Sequence, residues 1–235
     1  MKVAIVGGTG AFGRGLAARW REAGVEITIG SRDAARAQER AAVLGVSGAT
    51  NEEAVRDADL VVLAVQSSAA IDTARDLAPV IGAAPVLCVA SELRFEKHGV
   101  FPARDAGSIA EDVAAIVAGP VVSGFQALPA AQLAQSGLLD EDVLVCGDDA
   151  DSKQLVLELG QHLVSGRAID AGPLPNARAL EGMTAVIVHV TRRRGGRPRG
   201  RGRRRAGAED RLQVRGTRGP ARGRRSVRPC ARGRR

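Results

Sequence analysis

The sequence predicts an α/β fold centred on a doubly wound parallel sheet. Short runs that are apolar at every position alternate with helical segments, and strands that are apolar on both faces are typical of a parallel sheet covered on both sides. A glycine-rich turn also joins the first strand to the first helix, which indicates the Rossmann type. We therefore expect a Rossmann-type domain over residues 1–126, a smaller C-terminal α/β subdomain over 127–191 and a disordered basic tail over 192–235.

Apolar runs and breakers place the elements in order. The expected strands span 3–6, 25–29, 60–65, 85–90, 121–125 and 143–146, with a short extended piece at 168–170. The expected helices span 10–23, 33–44, a segment ending near 77, 107–118, a segment ending near 162, and 176–190. Gly24 is expected to end the first helix. The expected N-caps are Ser31 or Asp33 for the helix at 33–44, Ser108 for the helix at 107–118, and Asp148 or Asp149 for the helix that ends near 162.

Charge divides the chain into an acidic body and a basic tail. Residues 1–191 contain 15 Arg and Lys against 24 Asp and Glu, a net charge of −9. Residues 192–235 contain 19 Arg, no Lys and two acids, a net charge of +17. Because an acidic body repels phosphates, we expect nucleic-acid contact only non-specifically, through the tail.

Several classes of chemistry lack the residues that they need. The three cysteines are too scattered for a disulfide framework, and Cys88 and Cys146 are expected to be buried thiols. The three histidines lack the spacing of metal ligands, so no metal site is expected. The chain has no Tyr, which excludes the tyrosine-dependent carbonyl reductases. No apolar run approaches the roughly 18 to 20 residues that span a bilayer, and the N-terminal run is too short for a signal peptide, so a cytoplasmic protein is expected.

The turn after the first strand carries the motif G-x-G-x-x-G, formed by Gly8, Thr9, Gly10, Ala11, Phe12 and Gly13. Because the motif follows a predicted strand and opens a predicted helix, it indicates a dinucleotide site more strongly than a ligand-free turn. We expect Gly8 to allow the tight turn, Gly10 to let the backbone approach a pyrophosphate, and Gly13 to let helix and strand pack closely. The helix N-terminus would supply amide donors to the phosphates.

The end of the second strand distinguishes NAD from NADP. An NAD site places Asp or Glu there for the ribose 2′-hydroxyl, whereas an NADP site places Arg there for the 2′-phosphate. This chain has Ser31 and Arg32, followed one helical turn later by Arg36 on the same side. The alternative is that both arginines are solvated surface residues. The pattern favours NADP.

With these motifs in place, the chain resembles the NADPH-dependent reductases of the deazaflavin coenzyme F420. The resemblance runs from residue 1 to about 193 and includes the piece DAGPLPNARALEGMTAV at 170–186. Its most specific parts are Gly147-Asp148-Asp149 and the segment DAGPL at 170–174. It implies hydride transfer between NADP(H) and F420 as co-substrate, and an oligomer that is usually a dimer. No residue is predicted to be catalytic, since hydride transfer between two bound cofactors needs positioning rather than a protein acid or base.

The resemblance also implies site residues. It assigns residues 9–12 to the pyrophosphate, Ser31, Arg32 and Arg36 to the 2′-phosphate, Ser67, Ile71 and Ala130 to the rest of the dinucleotide, and Pro129 and Thr184 to the deazaflavin side. The chain departs from the family pattern at Gln66, at Ser91-Glu92-Leu93 and at Gln126-Ala127. Glu92 would place a negative charge near a substrate that itself carries phosphate and glutamates.

Two other functions fit the same sequence. One is a non-catalytic NADP(H)-binding redox sensor, which the departures at Gln66 and Ser91-Glu92 keep open. The other is a different small NADP-dependent reductase, such as an imine reductase. That class needs a long helical dimerisation domain, whereas only about 60 residues lie between Pro129 and Thr191.

The arginine-rich tail has three interpretations: a nucleic-acid arm, a disordered solvated segment, or the translation of a shifted reading frame. The arm lacks the aromatic side chains that stack on bases. The family resemblance stops within a residue or two of Arg193, where the composition changes abruptly to Arg, Gly, Pro and Ala, residues with GC-rich codons. We therefore expect residues from about 194 onward to be a frameshift product, with a family-like ending of roughly 20 to 25 residues in another frame of the gene.

Overall fold

The computed structural model describes residues 1–195, so the predicted tail beyond residue 195 and the frameshift hypothesis lie outside the described residues. The main strands are Lys2–Val6 (β1), Glu26–Ser31 (β2), Ser47–Thr50 (β3), Leu60–Leu63 (β4), Val86–Cys88 (β5), Val121–Gly124 (β8), Val143–Gly147 (β9) and Ala168–Asp170 (β10). They form one eight-stranded sheet in the order β10-β9-β8-β5-β4-β1-β2-β3. Leu93–Glu96 (β6) and Gly99–Pro102 (β7) form a separate antiparallel hairpin.

The helices flank this sheet. They are Ala11–Glu22 (α1), Ala34–Leu44 (α2), Asn51–Val55 (α3), Ser67–Ile81 (α4), Ile109–Ala114 (α5), Ala130–Leu133 (α6), Ala150–Gln161 (α7) and Ala177–Gly195 (α8), with a 3-10 turn at Leu174–Asn176. The structure confirms the predicted caps, because the side chains of Asp33, Ser108 and Asp149 accept bonds from first-turn amides of α2, α5 and α7. No helix among residues 1–195 is both long and apolar enough to cross a bilayer.

The Rossmann-type α/β fold is confirmed, with one difference in strand direction. The sheet is parallel except where β9 runs antiparallel to β8, pairing Val122 with Gly147 and Gly124 with Val145. A parallel return requires a crossover, usually a full helix, whereas the connection between β8 and β9 contains only the four-residue α6. β9 and β10 continue the main sheet, and a domain boundary at residue 126 stays a prediction.

The two faces of the sheet bury separate apolar layers, because successive side chains of each strand point to opposite faces. Val3 and Ile5 of β1 pack in the layer that contains Trp20, whereas Ala4 and Val6 pack in the opposite layer. Cys88 and Cys146 lie fully buried in that second layer, as predicted. Burial raises the pKa of Cys88 to about 12 and that of Cys146 to about 11, so both thiols stay protonated near neutrality.

Five elements were not predicted: β3, α3, α6 and the two strands of the β6–β7 hairpin. β3 reads Ser-Gly-Ala-Thr and has no apolar run; it forms by pairing with β2 at the sheet edge. α3, in contrast, has a sequence signal, because Thr50 and Glu53 form a complete capping box. This omission affects the site, since α3 begins at Asn51.

Candidate active site

The glycine-rich turn lies at the carboxyl end of β1 and differs from expectation in one detail. The tight turn is made by Gly7, whose φ is +79°, and not by Gly8. A Cβ at Gly8 would lie 2.6 Å from the Cβ of Ile29, so the absence of a side chain there lets β1 and β2 pack together. A Cβ at Gly13 would lie 2.8 Å from the Cα of Gly8, so that position lets α1 approach the turn.

Gly10 differs from both of these positions, because the fold itself does not require a glycine there. Gly10 is exposed, and a Cβ added there would contact only the carbonyl oxygen of Gly7, at 3.3 Å. Gly10 is the N-cap of α1 and supplies no capping side chain, so the first-turn amides that begin at Ala11 and Phe12 remain open to an outside acceptor. This combination suits close approach of a pyrophosphate.

A cleft of about 290 Å³ extends from this turn to the end of β2. It brings together five of the predicted residues: Thr9, Gly10, Ser31, Arg32 and Arg36. A second cleft of about 370 Å³ shares Ser31 and Arg32 with the first. Ser67 and Ile71 are in α4, beside this groove but outside its lining.

The end of β2 presents cations rather than a carboxylate. Arg32 is exposed, and no carboxylate oxygen of residues 1–195 lies within 4.0 Å of its guanidinium. Asp33, the nearest acid in sequence, accepts the amide of Arg36 at 3.1 Å and thereby caps α2. The first cleft has no carboxylate in its lining, whereas Glu52 and Asp76 line the second cleft. The first cleft is therefore suited to a phosphate at the 2′ position.

Asn51 is a site residue that the sequence analysis missed. It lines both clefts, and its buried Oδ1 atom accepts no hydrogen bond within residues 1–195. A Cβ at Gly30 would lie 2.8 Å from that oxygen, so the glycine makes room for it. An unpaired buried acceptor is costly in free energy, which makes this oxygen a candidate to accept a hydrogen bond from a ligand in the clefts.

A larger cavity of about 580 Å³ opens between α8 and the segment that follows β8. Its lining is mostly apolar and includes Phe125, Leu128, Pro129, Leu144, Met183 and Ile187. β9 runs antiparallel to β8 and therefore begins at the sheet edge where β8 ends. For this reason the first residues of β9 also line the cavity. β8 lies two strands from β4, whose end borders the cleft, so these two strand ends are about 10 Å apart along the sheet edge.

Phe125 fixes the segment at the mouth of this cavity in a strained backbone conformation. Its φ is +70°, which is uncommon for any residue other than glycine. Its ring is buried against Trp20, with the ring centroids 6.3 Å apart, and the Trp20 indole N–H donates to the Leu159 carbonyl at 2.9 Å. Strain held by a buried anchor is typical of functional segments.

The remaining predicted positions are near these cavities but do not all meet. Pro129 lines the large cavity, and Ala130 follows it as the first residue of α6. Thr184 faces away from that lining, because its hydroxyl oxygen accepts from Ser91 Oγ at 3.2 Å and it is buried. Nearby, Arg104 pairs with Glu92 at 3.5 Å, which offsets the negative charge that the sequence places there.

Glu181 secures α8 beside the site. Its carboxylate is buried and accepts the backbone amides of Ile109 and Ala110 at 3.1 and 3.2 Å, so it binds the N-terminus of α5. Burial raises the pKa of Glu181 from 4.5 to about 7, although the two amides lower it. Ionising this group therefore costs free energy in the folded chain.

Replacing Glu181 with Gln is expected to change how stability depends on pH. Because the folded pKa is raised, the carboxyl stabilises the fold below about pH 4.5, and this contribution is lost as pH rises through about 7. Between about pH 5 and pH 8 the unfolding free energy of the wild type should fall by about 2–3 kcal/mol more than that of the Glu181→Gln variant. Urea unfolding at both pH values measures this difference, and parallel pH dependences would contradict it.

Comparison with known proteins gives a consistent result. The profile of the family described as NADP oxidoreductase, coenzyme F420-dependent, matches residues 2–87. The F420-dependent NADP reductase of Methanothermobacter thermautotrophicus is 34% identical over 212 residues, 81% of this chain and 89% of that protein. The reductase of the same name from Methanocaldococcus jannaschii is 32% identical over 80% of this chain and 91% of that protein.

A solved structure agrees with these relatives. A protein from Arthrobacter sp. FB24, described as an F420-dependent NADP reductase, superposes with a TM-score of 0.67 at 27% identity, over 82% of this chain and 92% of that one. The relatives match along most of their own length, so the similarity includes α8 as well as the glycine-rich turn. This chain therefore belongs to the family of F420-dependent NADP reductases.

Proposed function

We propose that the protein transfers a hydride between NADP(H) and coenzyme F420, directly from one bound molecule to the other. The observation that supports this most strongly is the pair of cavities at one sheet edge: a cleft with a glycine-rich turn and free arginines beside the end of β4, and an apolar cavity beside the end of β8, two strands away. In this reaction, NADPH, oxidised F420 and one proton give NADP⁺ and reduced F420. The reverse reaction uses the same site.

The protein contributes binding and orientation. The amides at the start of α1 hold the pyrophosphate, and Ser31, Arg32 and Arg36 hold the 2′-phosphate. Ser67, Ile71 and Ala130 position the rest of the dinucleotide beside the large cavity. The strained segment that begins at Phe125 and includes Pro129 then orients the two rings so that the hydride crosses a short distance. No side chain of the described residues forms a covalent bond to either substrate in this scheme.

Mixing the protein with NADPH and oxidised F420 is expected to bleach the visible absorbance of the deazaflavin. Mixing NADP⁺ with reduced F420 should restore that absorbance, because the protein catalyses both directions of an equilibrium. A redox sensor would instead bind NADPH and NADP⁺ with different affinities and leave the deazaflavin unchanged. Dinucleotide binding without turnover in either direction would therefore contradict the reductase assignment.

We also propose that the protein is a cytoplasmic homodimer. Met183, Val186, Ile187 and Val190 form an exposed apolar stripe along α8 that borders the large cavity, since Met183 and Ile187 also line that cavity. Such a stripe on a helix is typical of a surface that another subunit covers. The free, buried thiols of Cys88 and Cys146 suit a reducing compartment.

A further inference from the structure

The second cleft at the dinucleotide site differs in chemical character from the first. It has a volume of about 370 Å³ and lies between the start of α3 and the middle of α4. Its lining includes the carboxylates of Glu52 and Asp76, whereas the lining of the first cleft includes none. Because carboxylates repel phosphates, the second cleft is suited to a part of the ligand that carries no phosphate.

The two clefts meet at four residues that line both of them: Ser31, Arg32, Asn51 and Thr73. Ser31 and Arg32 are the residues assigned to the 2′-phosphate, so the ribose that carries this phosphate would lie at the junction. The C5′ atom of that ribose leads to the pyrophosphate and therefore into the first cleft, toward the glycine-rich turn. The base is attached to C1′, next to C2′, and is directed into the second cleft.

The carboxylates of the second cleft are available to a ligand. Among residues 1–195, no basic nitrogen lies within 4.0 Å of a carboxylate oxygen of Glu52 or Asp76. The adjacent Glu53 is different, because it accepts the amide and the hydroxyl of Thr50 at 3.0 and 2.8 Å. The capping box thus fixes the start of α3 through Glu53 and leaves Glu52 beside the cleft as a hydrogen-bond acceptor.

Two further residues of the lining favour a base that carries an amino group. Asn51 lies at the junction, and its buried Oδ1 atom accepts no hydrogen bond among residues 1–195. Leu77 adds a buried apolar side chain to the second cleft. A flat base can lie against an apolar side chain while an exocyclic amino group at its edge donates to acceptors. The lining therefore suits a donor at the edge of the base better than an acceptor.

We propose that the second cleft recognises the purine base of the dinucleotide, and that Glu52 and Asp76 accept hydrogen bonds from its 6-amino group. The inference rests on the proposed function and names the residues that determine base specificity at its dinucleotide site. Adenine presents two N–H donors at position 6, one for each carboxylate. Hypoxanthine presents a carbonyl oxygen at this position, and an acceptor that faces a carboxylate has no donor to bind.

The test compares the binding of NADPH and of reduced nicotinamide hypoxanthine dinucleotide phosphate to the full chain. Near neutral pH the two dinucleotides have the same phosphates and the same charge, so the ratio of their dissociation constants isolates the base. The wild type should bind the hypoxanthine dinucleotide on the order of tenfold more weakly than NADPH. Titration monitored by the fluorescence of the reduced nicotinamide measures both constants.

The variant Glu52→Gln/Asp76→Asn should remove this preference. Its side-chain amides can donate to the 6-oxo group as well as accept from a 6-amino group, so the ratio should fall to about one. The hypoxanthine dinucleotide should bind this variant more tightly than it binds the wild type. General damage to the site would not produce such a gain, since it would weaken the binding of both dinucleotides.

Glu39→Gln/Asp72→Asn is the matched control, because it neutralises two exposed carboxylates of α2 and α4 that lie outside both clefts. It should keep the wild-type ratio. A wild-type ratio near one would overturn the proposal, and so would a ratio that Glu52→Gln/Asp76→Asn leaves unchanged. Failure of the proposed function would look different, since both dinucleotides would bind while the deazaflavin stayed unreduced.

Discussion

Replacing Arg32 with Ala is expected to raise the dissociation constant for NADPH about tenfold to a hundredfold, because a charge-assisted phosphate pair contributes about 1.5–3 kcal/mol. Binding of NADH, which lacks the 2′-phosphate, should barely change. The structure supports this selectivity, since Arg32 is exposed and lines the cleft next to Ser31. Fluorescence titration with both dinucleotides measures the two constants.

Arg75→Ala provides a control for the loss of one positive charge. Arg75 lies on the exposed face of α4 and pairs only with Asp72 among the described residues. The Arg75→Ala variant should bind NADPH and NADH with the affinities of the wild type. Equal losses of NADPH and NADH binding in Arg32→Ala would show that Arg32 supports the fold and does not recognise the phosphate.

Gly10→Ala is expected to weaken both dinucleotides while leaving the fold nearly intact. The added methyl group would contact only the Gly7 carbonyl oxygen within the protein, at 3.3 Å, so the unfolding free energy should fall by less than about 1 kcal/mol. The same methyl group occupies the space where a pyrophosphate approaches the turn. Overpacking of this kind costs about 1–3 kcal/mol, so NADPH and NADH should each bind about tenfold to a hundredfold more weakly.

Gly13→Ala separates this effect from a general loss of structure. Its Cβ would lie 2.8 Å from Gly8 Cα and 3.0 Å from the Gly7 carbonyl oxygen, and both are backbone atoms that cannot move aside. It should therefore lower the unfolding free energy by about 3 kcal/mol as well as weakening binding. Normal NADPH affinity in Gly10→Ala would contradict the assignment of this turn to the pyrophosphate.

Much of the site could be predicted because the signals are local. The glycine-rich turn, Ser31 and Arg32 each lie at the end of an apolar strand, and parallel strands bring such ends to one edge of a sheet. The caps of α2, α5 and α7 were equally accessible, since a cap is decided by a side chain and an amide three residues later. Asn51 was missed although the capping box of α3 marks its position.

Sequence alone determined the Rossmann-type fold, the acidic body and the choice of NADP over NAD, because each depends on residue type and short-range periodicity. Tertiary structure alone decided the antiparallel direction of β9, the formation of β3 and the position of Thr184 beside Ser91 instead of in the large cavity. It also brought the hairpin tip against α8, joining Gly99 to His189 across 90 positions of chain. Pairings between distant segments depend on which surfaces meet when the sheet assembles, and local sequence patterns do not encode that choice.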